Sequence, residues 1–223
     1  MKKLLYISVN SKPENMSVSK TVGREFVNKF LNKNTDHILE ELDIYNQDIP
    51  ELNHKLVNGV ADTVYGSEYN ALSQEDKKAV DRINQLCDQF VSADTYVIAA
   101  PMWSVSFPSR FKRYLDCVIL NNKVIKVSPD EIKGLLNDKE RNMIYIQSSG
   151  GIYPKIFNGQ FNHGVDYCHD IFKFLGINRF EKILVQGVNM PGIGRDEAIN
   201  RAYEDVDRVV NKLSREPILG GRV

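Results

Sequence analysis

Residues 95–110, TYVIAAPMWSVSFPSR, change character twice over a short length of chain. Thr95–Ala100 is an apolar, strand-prone run, the pattern of a strand covered on both faces. Pro108 suits the first turn of a helix, where its missing N–H costs nothing, and Phe111, Tyr114, Leu115 and Val118 then recur along one inward-facing stripe. Between strand and helix the connection holds the chain's single Trp together with serines and two prolines. An ordinary turn would draw on Gly, Asn or Asp. An aromatic, apolar connection at the carboxyl end of a buried strand suits a loop lying along the edge of a flat ligand.

The alternation of strand and helix extends in both directions. Leu4–Val9 reads as a buried strand, followed by polar NSKPENMS and a helix from Ser17 with Val18, Val22, Phe26 and Phe30 on one face, beside Val27 and Leu31. His37–Leu42 completes a βαβ unit. Residues 53–72 have poor periodicity and read as an excursion over the surface. Ser73-Gln74-Glu75-Asp76 resembles a capping box with Asp in the usual Glu position, ahead of the stripe Val80, Ile83, Leu86, Cys87, Phe90 and Val91. A fourth strand over Asn142–Gln147 runs into Ser148-Ser149-Gly150-Gly151. Val165–Leu175 is a helix closed by Gly176, Lys182–Val188 a fifth strand and Asp196–Leu213 the last helix. The charge-rich stretch 137–142 reads as a solvated approach to a strand, and His37 and His54 as solvated. One α/β domain over residues 1–215 follows, a doubly wound parallel sheet with a loose tail at 216–223. Such sheets bind ligands beyond the carboxyl ends of their strands, where the strand order reverses. The loops after strands one, three and four are therefore the candidates.

Composition narrows the function classes. The chain has 223 residues, 42% of them hydrophobic, enough for a core without disulfides or structural metal. Its 29 basic and 29 acidic residues cancel, which removes a compositional case for nucleic acid or an acidic membrane surface. Three scattered cysteines fit a reducing compartment. The apolar part of MKKLLYISVN stops at Val9, short for a signal sequence, and no run is long enough to span a membrane. The expectation is a cytoplasmic protein.

The first loop has neither a dinucleotide fingerprint nor a P-loop. It offers Asn10 at a strand end, then Ser17, Val18 and Ser19 at the start of a helix, whose free amides and dipole suit a monophosphate. Ser17 also reads as a plain N-cap. In the second loop, Met102, Trp103, Ser104 and Val105 can run backbone groups along a planar ring, although Trp103 and Phe107 also fit packing between sheet and helix. In the third, Ser148, Ser149, Gly150 and Gly151 permit close backbone approach and positive φ, or form a flexible turn. Together the three loops fit a phosphorylated flat cofactor such as FMN. Other chemistry fits poorly. His163, His169 and Cys168 lack metal-ligand spacing, no GxSxG elbow is present, acids do not cluster after the first strand as in a phospho-accepting regulator, and Cys117 reads as core.

The residues resemble the FMN-dependent NADH-azoreductases, quinone reductases of flavodoxin-like fold, from Lys3 to about Lys212. PMWSVSFPSRFKRYLD is similar to the family's PMWNFSxPxxxKxYxD, SSGGIY to its xxGGxY, and SVSK at 17–20 to its hydroxyl cluster. The resemblance implies a flavodoxin-like five-stranded sheet of order 2-1-3-4-5 with helices on both faces. It implies that Ser17, Val18 and Ser19 bind the FMN phosphate with Asn10 near the same end. It places Met102, Trp103, Ser104 and Val105 along the isoalloxazine edge, and Ser148, Ser149, Gly150 and Gly151 against the ring. It further implies one FMN per subunit, NADH as donor, quinones and aromatic azo compounds as acceptors in ping-pong turnover, and a homodimer. The chemistry is carried by FMN, so no catalytic side chain is named. Ser104 and Val105 depart from the family's Asn-Phe, and Ile125 and Val127 from aromatics that wall the substrate side, which leaves the acceptor range open. The FKRYLDCVIL helix at 111–120, with Tyr114, Leu115, Val118 and Ile119, offers apolar surface to the sheet, to a second subunit or to both. A flavodoxin-like electron carrier or flavin-binding regulator is the competing class, though small carriers of this fold are usually strongly acidic and this chain is neutral.

Overall fold

The computed structural model describes residues 1–153 and 162–214. Its main sheet is parallel throughout and joins β1 (Lys2–Ser8), β2 (His37–Asp43), β5 (Thr95–Pro101), β8 (Asn142–Ser148) and β9 (Arg179–Val185) in the order β2-β1-β5-β8-β9. This is the 2-1-3-4-5 order of the flavodoxin-like fold. Every residue of β5 is buried, as a central strand covered by helices on both sides requires. α1 (Val18–Lys33) and α6 (Gly194–Leu213) cover one face, packing Val22, Phe26 and Val206 on Leu4, Val97 and Ile146. α3 (Gln74–Ser92), α4 (Ser109–Val118) and α5 (His163–Leu175) cover the other, packing Phe90, Tyr114 and Phe172 on Ile7, Ile98 and Tyr145.

Local chemistry sets several boundaries. The Ser73 hydroxyl accepts from the Asp76 amide at 3.1 Å and donates to its carboxylate at 2.8 Å. The Asp thus bonds the cap hydroxyl, where the Glu of a full capping box reaches back to the cap amide. Gly176 ends α5 in the left-handed region at φ 106°. Gly23 brings α1 onto the sheet: a Cβ there would stand 2.8 Å from the Tyr6 hydroxyl and 2.9 Å from the Ala99 methyl.

Other expectations are corrected. The fifth strand lies three residues earlier than the Lys182–Val188 expected, because Arg179 and Phe180 pair with Asn142 and Met143 and Gly187 turns the chain at φ 79°. The excursion at 53–72 contains a small antiparallel pair, β3 (Val57–Asn58) and β4 (Asp62–Thr63), and a short helix, α2 (Gly66–Ala71). A second small pair, β6 (Ile125–Val127) and β7 (Ile132–Gly134), puts Ile125 in the core and Val127 against it. Arg141, in the stretch read as solvated, is buried and donates to the carbonyls of Val91, Ala93 and Leu136. The His37 ring is buried against Phe30, edge to face at 5.1 Å. Tyr114, Leu115 and Val118 are buried within the chain itself and Ile119 is partly buried against the same core, so the α4 stripe packs mainly inward. The tail at 216–223 lies outside the described residues.

Candidate functional site

The chain order reverses between β1 and β5: β2 pairs with one edge of β1, and β5 with the other. Three backbone bonds tie the strand ends together there. The Val9 amide donates to Ala99 at 2.8 Å, the Met102 amide to Ser148 at 2.7 Å and the Ser149 amide to Val185 at 2.9 Å. All three candidate loops consequently open on the same edge of the sheet, at its switch point.

The first loop leaves β1 through Asn10, whose side chain accepts from the Lys12 amide at 3.0 Å. A single 3-10 turn over Glu14–Met16 then leads to Ser17, the N-cap of α1. The Ser17 hydroxyl accepts from the Lys20 amide at 3.4 Å, longer than an ordinary amide hydrogen bond, and lies 3.4 Å from the Ser19 hydroxyl. Both serines are buried. Their mutual contact occupies one hydroxyl hydrogen of two, and among the described residues the amides of Val18 and Ser19 have no acceptor. Buried donors converging at a helix N-terminus without acceptors suit an anion, and a phosphate monoester supplies the missing oxygens. Ser17 is a cap, but a weak one whose hydroxyl remains available.

The second loop is a two-residue hairpin. Trp103 and Ser106 exchange backbone bonds of 3.1 and 2.9 Å, and between them Ser104 and Val105 sit at φ 47° and 57°. This is the left-handed pair of a type I′ turn, which ordinarily takes Asn-Gly. A β-branched residue there is strained, by roughly 1–2 kcal/mol. The turn leaves the Ser104 and Val105 amides without acceptors among the described residues. The two aromatics divide their roles. Phe107 packs edge to face on Phe111 at 5.0 Å and on Tyr167 at 5.5 Å, whereas Trp103 stays 48% exposed.

The third loop is strapped down. The Ser149 hydroxyl donates to Gly151 O at 2.9 Å, while the amides of Gly187, Val188 and Asn189 donate to the carbonyls of Gly151, Ser149 and Gly150. Neither Gly150 nor Gly151 has positive φ, contrary to expectation. At Gly150 the small residue answers a packing demand, since a Cβ would stand 2.8 Å from the Asn189 side-chain nitrogen. Behind this loop, buried Gln147 donates to Asn162 at 2.9 Å, and Asn162 caps α5. The first turn of α5 presses on the second loop, for a Cβ on Gly164 would stand 3.0 Å from Gln147 Oε1 and 3.1 Å from the Ser106 carbonyl carbon.

All twelve residues singled out in the sequence thus gather at this edge. The loops carry one acid, Glu14, already paired with Arg24 at 3.0 Å. The cysteines stand apart in the core, where burial pushes the Cys87 thiol up to about 11 and that of Cys117 up to about 12, far from thiolate nucleophiles. His169 packs on Phe180, and among the described residues no three His, Cys, Asp or Glu side chains group as metal ligands. A cavity of about 590 Å³ beside β9, between α5 and α6, takes in none of the three loops. Lys20 was not singled out, although a cation in the first turn of a helix opposes the helix dipole and is itself a signal. It reaches back to the first loop and donates to Asn10 O at 3.1 Å.

Comparison with known proteins bears on this geometry. Residues 2–210 match a family described as having the flavodoxin-like fold. The FMN-dependent NADH:quinone oxidoreductase 1 of Clostridium acetobutylicum is 57% identical over 213 residues, 96% of each chain. The FMN-dependent NADH:quinone oxidoreductase of Ruminiclostridium cellulolyticum is 46% identical over 96% of this chain and all of its own. The crystal structure of an FMN-dependent NADH-azoreductase from Bacillus anthracis in complex with FMN superposes with a TM-score of 0.83 at 26% identity, over 96% of this chain and all of that one.

Proposed function

The chain belongs to the FMN-dependent NADH:quinone oxidoreductase family of flavodoxin-like fold, and from that premise we propose that it is a flavoenzyme passing electron pairs from NADH to quinones. The observation that carries the reading is the convergence of unpartnered donors at the α1 N-terminus with the free amides of the Ser104–Val105 turn on one sheet edge. FMN has a phosphate for the first and a hydrogen-bonding ring edge for the second. When bound, FMN supplies the two-electron chemistry, with donor and acceptor using the site in turn. The chain's residues bind and orient it: Asn10, Ser17, Val18 and Ser19 at the phosphate, Met102, Trp103, Ser104 and Val105 along the ring edge, and Ser148, Ser149, Gly150 and Gly151 as the wall behind it. No side chain of the three loops is assigned proton transfer, since the acid present is tied to Arg24.

Aromatic azo compounds are proposed as further acceptors, each bond consuming two such cycles to give two amines. Ile125 in the core and Val127 against it leave the acceptor side less walled than bulky aromatics there would. We place the enzyme in the cytoplasm, which suits its three free, buried cysteines, and as a homodimer. Among the described residues no helix is long and apolar enough to cross a membrane. The test is an absorbance spectrum of the purified protein followed by anaerobic NADH and then a quinone. Flavin bands that bleach with NADH and return with quinone are expected. A colourless protein that refuses added FMN would remove the enzyme reading.

A further inference from the structure

We infer that Lys20 is a positioning residue for the phosphate end of the cofactor, setting the shape of the 10–17 loop so that the Ser17 and Ser19 hydroxyls and the first-turn amides meet at one point. The inference rests on the FMN reading above. Lys20 is the third residue of α1, where its charge opposes the positive end of the helix dipole. Its side chain is nonetheless only 8% exposed. An ammonium has three hydrogens, and all three are committed: to Asn10 O at 3.1 Å, to Lys12 O at 3.1 Å and to Asp43 Oδ2 at 2.9 Å. Asp43, at the end of β2, is itself held by the Tyr45 amide at 3.0 Å and the Asn46 side chain at 3.1 Å. A single buried cation therefore joins the start of the loop, the helix that ends it and the neighbouring strand.

The rest of the loop has no apolar anchor and is fixed by polar contacts, Arg195 donating to Asn15 O at 2.8 Å among them. Ser11, Lys12, Pro13, Asn15 and Met16 are exposed, and no apolar side chain between Asn10 and Ser17 is buried. Its far half is held by polar contacts too: the Thr21 hydroxyl donates to Glu14 O at 2.9 Å, and Arg24 to the Glu14 carboxylate at 3.0 Å. With its hydrogens spent, Lys20 is no direct phosphate ligand. It acts through the loop, and the ring contacts sit on two other loops that it does not touch. Its loss is therefore selective for the phosphate-bearing flavin.

The test titrates the full-length apoprotein with FMN and with riboflavin, which lacks the phosphate, for wild type, Lys20→Met and Asp43→Asn, following flavin fluorescence. Wild type is expected to prefer FMN. Lys20→Met should weaken FMN roughly tenfold or more, the loss that follows deletion of a charged hydrogen-bonding group, while riboflavin binds as before. Asp43→Asn should move FMN the same way by less. Inorganic phosphate should raise the unfolding temperature of the wild-type apoprotein but not of Lys20→Met. Unchanged FMN affinity in the Lys20 variant, or equal weakening of FMN and riboflavin, would overturn the inference. Where Lys20→Met does not fold, Asp43→Asn decides between the same outcomes. A wild type that holds FMN and riboflavin equally would overturn the phosphate assignment itself, and the role of Lys20 with it.

Discussion

At the scale of single residues, Val105 is the costliest choice in the site. Its φ of 57° suits Gly, and its neighbour Ser104 at 47° suits Asn, so Asn-Gly would make the same turn without strain. Glycine also frees the unfolded chain, which costs roughly 0.5–1 kcal/mol and offsets part of the relief. The net expectation for Val105→Gly is an apoprotein more stable by up to about 1 kcal/mol, or ~2–4 °C in Tm for a chain of this size. A Tm that falls would show that the turn carries less strain than the added freedom of glycine costs. The serines make the opposite kind of prediction. Ser17 and Ser19 are buried yet nearly without partners, so Ser17→Ala with Ser19→Ala removes little from the apoprotein and much from its hold on flavin. The double variant should purify largely flavin-free with a near-native Tm, and full flavin content would end the phosphate assignment. The serines were legible in the sequence and the strain of the turn was not. The hydroxyl cluster is a chemical pattern, whereas left-handed φ at Ser104 and Val105 comes from loop closure, which residue type alone signals only for Gly and Asn.

At the scale of elements, strands and helices with a full apolar period were legible: β1, β5, β8, α1 and α3 lie close to where their side chains place them. Pieces of two or three residues have no period to read, which hid the β3–β4 and β6–β7 pairs. Contacts between elements were hidden as well, among them Arg141 closing on the end of α3 and α5 seated on the second loop. That seating is testable at Gly164. A methyl there meets Gln147 and the Ser106 backbone, so Gly164→Ala should destabilise the fold by about 1–3 kcal/mol and loosen flavin binding as the loop gives way. Tight flavin binding with undiminished stability would mean the two elements do not bear on each other. The join between β2 and α1 has a pH signature. Burial raises the Asp43 carboxyl, but bonds from Lys20 and from the Tyr45 and Asn46 amides outweigh it and hold it below its ordinary value. Its stabilisation is complete above the unfolded value of about 3.9 and is lost as pH falls through the lower folded one. Glu41, held low by Arg24, adds in the same direction. The urea midpoint of the wild-type apoprotein should therefore fall between about pH 5 and pH 3. Asp43→Asn should begin lower at neutral pH and fall less, and parallel curves would rule out Asp43 as a source of the acid sensitivity.

At the scale of the whole molecule, the apolar surface does not balance within one chain. The α4 stripe is turned mainly into the core of its own chain. Exposed apolar groups are spread over the surface, Tyr65, Ile132 and Val60 among them, but one set stands beside the site: Trp103 at 48%, Ile152 at 46% and Tyr167 at 37%, with Tyr167 packed on Phe107 of the second loop. Large apolar groups left around a functional site mark a surface that another molecule covers, and a two-fold pair of identical chains covers both copies at once. Sedimentation at micromolar concentration should give twice the 25.5 kDa chain mass. Trp103→Arg combined with Tyr167→Glu should shift the protein toward monomer and slow quinone reduction, while FMN stays bound through the phosphate end, which these side chains do not form. If the variant stays dimeric, the interface lies elsewhere on the molecule. If it is monomeric yet turns over quinone at the wild-type rate, each chain holds a complete site and the dimer has no part in the chemistry.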